Sequence, residues 1–312
     1  MRAVAVGATG ATPEPMDLPA PRPAAGEVLV ELAAASVNPI DAGIAEGRLP
    51  MPRVFPLVLG VDGAGRVTEV GEEVRGLAAG DLVHGQFLRA PLGHGTFAQY
   101  TVVTETPDSG ALQPIPDGMP ADVAAALPTA GMTALGALDA MGLRSGQSLL
   151  IAGATGGVGV FAVQLATARG VEVIATARPD ADRWIRDLGA AATVDYTTGD
   201  VAALVRRSHG AVDAVLDLTD DPARFAANAA LVRDGGAAVS VALVAGEDLL
   251  ASDRIAVSNF MMRDKPDLLA RITAEAAAGR ISVPIQRAIA LSEVPGALRR
   301  GAGARGKTVV RI

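Results

Sequence analysis

The chain of 312 residues contains no cysteine. That absence excludes disulfides, thiolate nucleophiles and every zinc site that needs a cysteine ligand. Histidine is nearly absent as well, at His84, His94 and His209. No two of these sit at the helical spacing of a zinc site, so no metal is expected. Aromatic residues make up 3% of the chain, and basic residues gather no further than pairs such as Arg206-Arg207 and Arg299-Arg300. With a net charge of −7, this pattern excludes a nucleic-acid partner. No apolar run is both long enough and poor enough in glycine to cross a bilayer, and no basic segment followed by an apolar one opens the chain. A soluble cytoplasmic protein without a membrane partner is the expectation.

What is present is alanine, valine, leucine and glycine, and one stretch organises them. Ser148-Leu149-Leu150-Ile151-Ala152 reads as a buried strand, Gly153-Ala154-Thr155-Gly156-Gly157-Val158-Gly159 as a glycine-rich turn, and the residues to Gly170 as an alanine-rich helix. Val171-Glu172-Val173-Ile174-Ala175-Thr176 then reads as a second buried strand. Strand, glycine turn, helix and strand form a mononucleotide-binding unit. The glycines allow a tight turn and a close approach of backbone to a pyrophosphate, and the helix aims free N–H groups and its positive end at the phosphates. Val4-Ala5-Val6-Gly7-Ala8-Thr9-Gly10 has a similar look, but Pro13 and Pro15 follow where a helix should begin, so a hairpin turn is expected there.

The end of the second strand bears on the choice of dinucleotide. NAD is usually held by an acidic residue about 20 positions past the glycines, at the ribose 2′-hydroxyl. Here the strand ends Thr176-Ala177-Arg178. An arginine can hold a 2′-phosphate bidentately, and Tyr196, after the next strand, can add a hydroxyl; NADPH is therefore expected. The alternative leaves Arg178 as a solvated loop residue and Tyr196 as an aromatic at the edge of the core.

Around this unit the chain divides near residue 121. Before it, short apolar runs alternate with Pro and Gly: 27–32, 67–71, 81–85 and 96–103 read as strands of a small barrel-like β domain. After it, Asp122 is placed to cap a first helix and 129–141 forms a longer one. Strands near 148–152, 171–176, 192–195, 212–217, 236–243 and 255–260 alternate with helices, the pattern of a doubly wound parallel sheet with cofactor across its carboxyl ends. A helix over 267–278 follows, and the tail from 281 to 312 reads as the chain returning to complete the first domain. The expected division is 1–121 with 266–312, and 122–265.

The chain resembles the medium-chain dehydrogenase/reductase superfamily, and within it the zinc-independent quinone oxidoreductase branch. The resemblance runs over nearly the whole length: Ser36-Val37-Asn38-Pro39-Ile40-Asp41, Gly60-Val61-Asp62-Gly63-Ala64-Gly65, Gly80-Asp81-Leu82-Val83, Gly95-Thr96-Phe97-Ala98-Gln99-Tyr100, Leu127-Pro128-Thr129-Ala130-Gly131-Met132-Thr133-Ala134, Gly156-Gly157-Val158-Gly159 and Gly306-Lys307. It implies a GroES-like β-barrel domain joined to a Rossmann α/β domain, NADPH in the cleft and a homodimer. Zinc-dependent members carry cysteine near Asn38 and His-Glu at 61–62, which this chain lacks.

The implied cofactor contacts are Thr129, Thr133, Ala154, Thr155, Gly156, Gly157, Val158, Thr176, Arg178, Tyr196, Leu218, Val241, Ala242 and Phe260. Without a metal to polarise a simple ketone, the easier reaction adds hydride to the β-carbon of an α,β-unsaturated carbonyl or to a quinone. Asn38 is the candidate donor to the enolate oxygen, or else a structural turn residue; Asp41 is a candidate acid whose family position is more often structural. Two departures fall near the expected substrate. Arg48-Leu49-Pro50 stands where many relatives have a tyrosine, and Asp217-Leu218-Thr219-Asp220 lacks their glycine. Arg48, Arg263 and Lys265 could recognise an anionic small-molecule substrate, and Met261 and Met262 could line the cleft or simply pack. Two further readings share these motifs: a tailoring reductase of a secondary-metabolite pathway, and an NADPH-binding protein without turnover.

Overall fold

The computed structural model describes residues 1–107, 109–262, 266–299 and 304–312. The chain opens with β1 (Arg2–Val6) and β2 (Glu14–Asp17), followed by β3 (Glu27–Ser36), α1 (Pro39–Ala45), β4 (Leu57–Val58), β5 (Asp62–Val70), β6 (Leu82–Gln86), β7 (Tyr100–Thr104) and β8 (Ala111–Pro114). β1 and β2 pair antiparallel with Arg2 opposite Asp17. The first glycine-bearing stretch is thus the expected hairpin, because Pro13 and Pro15 deny it a helix.

Two helices come next, α2 (Ala121–Ala126) and α3 (Pro128–Met141), then β9 (Ser148–Ala152), α4 (Gly157–Ala168), β10 (Glu172–Thr176), α5 (Asp182–Asp187), β11 (Ala192–Val194), α6 (Val201–His209), β12 (Val212–Asp217), α7 (Pro222–Ala229), β13 (Val232–Ser240), α8 (Glu247–Leu250) and β14 (Ala256–Asn259). Strands β9 to β14 form a parallel sheet in the order β11-β10-β9-β12-β13-β14. In β9, Leu149 and Ile151 pack toward a core shared with α3 and α4, whereas Leu150 packs toward the opposite core with Val205 and Phe225. Period-2 alternation puts both faces of the strand under helices, which is why it reads as an unbroken apolar run. Full burial of a side chain such as Phe161 or Phe225 is worth about 1.5–3 kcal/mol.

The chain closes with α9 (Pro266–Ala277), β15 (Ile285–Ala290), α10 (Val294–Ala297) and β16 (Lys307–Arg311). β16 pairs antiparallel with β3, Val309 opposite Ser36, so the last strand is hydrogen-bonded into the seven-stranded sheet that also holds β5 to β8.

Two expectations are corrected in detail. Asp122 does not cap α2: the N-cap is Pro120, and the Asp122 carboxylate in the first turn accepts from Arg311 Nε and Nη2 at 3.0 and 2.8 Å. An ion pair to the returning strand takes the carboxylate away from the helix end. β13 begins at Val232 and stops at Ser240 rather than running 236–243, because Leu243 lies in the left-handed region at φ 61°. Val241 and Ala242 therefore stand beyond the carboxyl end of the sheet rather than within it.

Candidate active site

The glycine turn between β9 and α4 is built by backbone constraints. Gly153 has φ +84°, a conformation that costs a side-chain-bearing residue energy. A Cβ on Gly159 would lie 2.4 Å from the carbonyl oxygen of Ala154, so the first turn of α4 is packed directly onto the turn that precedes it. Thr176 at the end of β10 accepts the Gly153 N–H through Oγ1 at 2.9 Å, and Leu218 donates its N–H to Ala152 at 3.0 Å. A side chain from β10 and the backbone that follows β12 thus brace the turn from the flanking strands. Gly156, Gly157 and Val158 remain partly exposed, and the N–H groups of the first turn of α4 have no intrahelical acceptor. This cradle of bare backbone fits a dinucleotide pyrophosphate.

Arg178 and Tyr196, 18 positions apart, meet at the outer end of β10 and β11. Arg178 Nε donates to the Tyr196 hydroxyl at 3.0 Å, and the guanidinium carbon stands 5.9 Å from the ring centroid. At the other end, Val241 N–H donates to Asp217 and Phe260 N–H to Ser240, which fixes these residues at the carboxyl ends of β12 and β13. The Phe260 ring packs on α3, where a Cβ on Gly136 would meet its Cζ at 2.7 Å. Thr133 on α3 is buried, whereas Ala242 is exposed.

Beside the turn lies a buried polar network that the sequence reading resolved only in part. Lys307 Nζ donates to Asn38 Oδ1 at 2.6 Å, and Asn38 Nδ2 donates to Asp62 Oδ2 at 2.8 Å and to the Ser36 carbonyl at 3.3 Å. The amide is therefore a spacer with its oxygen toward an ammonium and its nitrogen toward a carboxylate. Both amide hydrogens are engaged, so Asn38 does not present a free donor to the cleft. Asp62 Oδ1 accepts from Thr129 Oγ1 at 2.6 Å, and Thr129 accepts from Gln86 at 2.8 Å. Asp41 Oδ2 accepts the Asn38 N–H at 2.7 Å at the mouth of α1, and its Oδ1 is buried. The carboxylate thus holds the local backbone.

Charge follows geometry in this network. Burial pushes the Asp41 carboxyl up to about 8, raises Asp62 against the pull of Lys307, and lowers Lys307 against the pull of Asp62 and Asp41. Burial thus works against charge on all three groups, while the attraction between the Lys307 amine and the two carboxyl groups works for it. The network touches the glycine turn through Lys307. A Cβ on Gly157 would meet Lys307 Cδ at 3.1 Å, and the neighbouring Gly306 N–H donates to the Thr155 carbonyl at 2.8 Å. Lys307 was visible in the sequence only as part of Gly306-Lys307, with no spacing signal to join it to Asn38.

Arg48 stands apart from the cradle, paired with Glu46 at 2.7 Å and lining an open groove with Ala11, Ala42, Leu298 and Arg299. Arg263 and Lys265 lie outside the described residues. Met261 is exposed, and Met262 packs against the α3–α4 core.

A family model described as "Alcohol dehydrogenase GroES-like domain" matches residues 24–117, and one described as "Zinc-binding dehydrogenase" matches residues 157–266. The chain is 38% identical over 213 residues to the chloroplast envelope quinone oxidoreductase homolog of Arabidopsis thaliana, a match spanning 65% of this chain and 62% of that protein. It is 33% identical over 335 aligned positions to the mitochondrial NAD(P)H oxidoreductase RTN4IP1 of Mus musculus, spanning 92% and 82% of the two chains. The structure of the quinone oxidoreductase from Coxiella burnetii superimposes with a TM-score of 0.87 at 26% identity, covering 100% of this chain and 99% of that one.

For the zinc in the second description, the described residues offer no fitting donor set. Among the described residues no three His, Asp or Glu side chains gather as a ligand set, and Asp62 is taken by Asn38 and Thr129. With a GroES-like segment, a parallel sheet carrying a glycine turn, and these relatives over most of its length, the chain belongs to the medium-chain dehydrogenase/reductase superfamily, in its quinone oxidoreductase branch, and is an oxidoreductase of that type.

Proposed function

We propose that the protein is an NADPH-dependent reductase acting, without a metal, on a quinone or an α,β-unsaturated carbonyl. The observation that carries the cofactor preference is the Arg178–Tyr196 pair at the end of β10, where an enzyme using NAD would place a carboxylate. A guanidinium and a phenol offer donors to a 2′-phosphate and nothing to a 2′-hydroxyl that water would not match.

Bound NADPH would supply the hydride. The residues of this chain orient it: the 153–158 turn and the first turn of α4 hold the pyrophosphate, Arg178 and Tyr196 the 2′-phosphate, and Thr133, Val241, Ala242 and Phe260 the nicotinamide end. Asn38 acts as a positioning residue, tying the mouth of α1 to Asp62, Thr129 and Lys307, and Asp41 shares that role through the Asn38 N–H. A conjugated acceptor suits such a site, because the charge developed on hydride addition spreads to an oxygen that solvent in the cleft can stabilise. Solvent then delivers the proton to the α-carbon.

Following NADPH absorbance with a panel of quinones, alkenals and cyclic enones tests the reaction. Oxidation with at least one class is expected; binding without oxidation on any acceptor would instead favour a non-catalytic NADPH-binding protein. Titration with NADPH and NADH tests the preference. Arg178→Asp should weaken NADPH binding at least tenfold, from loss of a charge-assisted bond worth about 1.5–3 kcal/mol. An unchanged preference removes Arg178 from the site. A second copy of the chain would add to the outer edge of β14, which pairs only with β13 among the described strands; light scattering at twice the chain mass is the expected result.

A further inference from the structure

The loop that carries Arg178 also carries an acid. Asp180 lies two residues on, in the short helical turn Pro179–Ala181, with its side chain 68% exposed. A free carboxylate so close to Arg178 would oppose a dianionic 2′-phosphate. Asp180 is not left free: Arg305 reaches across from the segment preceding β16, and its Nη2 is bonded to Asp180 Oδ2. The neighbouring cations are occupied elsewhere, Arg178 with the Tyr196 hydroxyl and Arg183 with Asp187.

Arg305 is no loose tail residue. Its own N–H donates to Gln286 Oε1 at 2.7 Å, and the next residue, Gly306, donates its N–H to Thr155 in the glycine turn at 2.8 Å. The backbone is thus fixed on both sides, one residue from the phosphate cradle. An exposed ion pair contributes little to fold stability, so the pairing matters through the field it creates at the loop.

We propose that Arg305 is a specificity-determining residue for the 2′-phosphate, acting by neutralising Asp180 on the loop that also bears Arg178. The inference rests on the NADPH reading above. Without Arg305 the loop would carry one cation and one uncompensated anion, and the discrimination for the phosphorylated ribose would fall.

The test measures binding of adenosine 2′,5′-bisphosphate and of 5′-AMP to the wild-type chain, Arg305→Ala, Asp180→Asn and the Asp180→Asn/Arg305→Ala pair. Arg305→Ala should weaken the bisphosphate roughly five- to tenfold at low ionic strength, and less in high salt, as expected for one uncompensated charge several ångströms from a dianion. Binding of 5′-AMP should be unchanged, and Asp180→Asn should restore the bisphosphate affinity in the Arg305→Ala background. If the wild type prefers the bisphosphate and Arg305→Ala keeps that preference, the inference fails and the NADPH reading stands. Equal loss of both ligands without rescue by Asp180→Asn would show that Arg305 only shapes the loop, and would also overturn it. If the wild type binds both ligands alike, the NADPH reading itself falls.

Discussion

Lys307 Nζ lies 2.6 Å from Asn38 Oδ1, joining the first residue of the last strand to the mouth of the first helix across 269 positions of sequence. The contact places the Lys307 ammonium in a buried site with the Asp62 and Asp41 carboxyl groups. It also brings the return of the chain against the glycine turn.

Removing that cation should be costly. Lys307→Met leaves Asp62 buried without its counter-charge, and a loss of about 3–5 kcal/mol is expected from urea unfolding, the usual cost of orphaning one partner of a buried pair. Adding Asp62→Asn should recover part of that loss. A Lys307→Met chain as stable as wild type would mean that the network does not hold the fold.

Asp41 sets a pH dependence of definite sign. Its pKa rises from 3.8 to about 8 on folding. Between those values the folded state keeps a proton that the unfolded chain has released, so stability falls as pH rises through the window and levels off above it, with a slope of at most about 1.4 kcal/mol per pH unit. Asp41→Asn lacks this slope. Its melting temperature relative to wild type should therefore improve between pH 5 and pH 8, and a constant difference would contradict the assignment.

His84 gives the opposite limb. Buried in β6, it donates from Nδ1 to the Ala124 carbonyl at 2.9 Å and accepts at Nε2 from Gln113 and Thr273, and burial lowers its pKa from 6.5 to about 4. The stability it contributes is present above about 6.5 and is lost as pH falls toward 4. His84→Gln should cost about 1–3 kcal/mol at pH 7, from the Ala124 carbonyl left unpaired. It should also flatten the decline in melting temperature between pH 6.5 and 4.5; an identical decline would place the acid sensitivity elsewhere.

Two glycine turns that look alike in sequence should behave differently. Gly159→Ala drives a Cβ to 2.4 Å from the Ala154 carbonyl, whereas a Cβ on Gly7 meets nothing within 4 Å. Gly159→Ala should lower NADPH affinity more than tenfold and reduce the melting temperature, with Gly7→Ala neutral in both. Equal tolerance of the two substitutions would remove the close helix packing from the account of the cradle.

Much of this was legible from order and spacing. The strand, glycine turn, helix and strand over 148–176 obey local rules: buried runs of apolar residues, positive φ at glycine, and a helix that begins where the Cβ atoms are missing. The hairpin at 4–10 was separable from it because two prolines sit where a helix would need N–H donors. Arg178 and Tyr196 could be paired on paper because they end adjacent parallel strands. Asp122 departs from its expected capping role because an N-cap preference of about 1 kcal/mol competes with the Arg311 side chain, which draws the carboxylate away. The end of β13 is not legible, because nothing local marks Leu243 for a left-handed backbone.

By itself the sequence determined the alternation of strand and helix, the parallel sheet it builds and the glycine turn at its centre, since these follow from hydrophobic period and from glycine's missing side chain. Only the tertiary structure decided that Asn38 is engaged rather than free, that Asp62 and Lys307 share its two ends, and that Arg305 faces Asp180. The reason is physical: those contacts join residues from 24 to 269 positions apart. The strength of the Asn38 contacts comes from burial and charge proximity, which exist only once β16 has closed against β3.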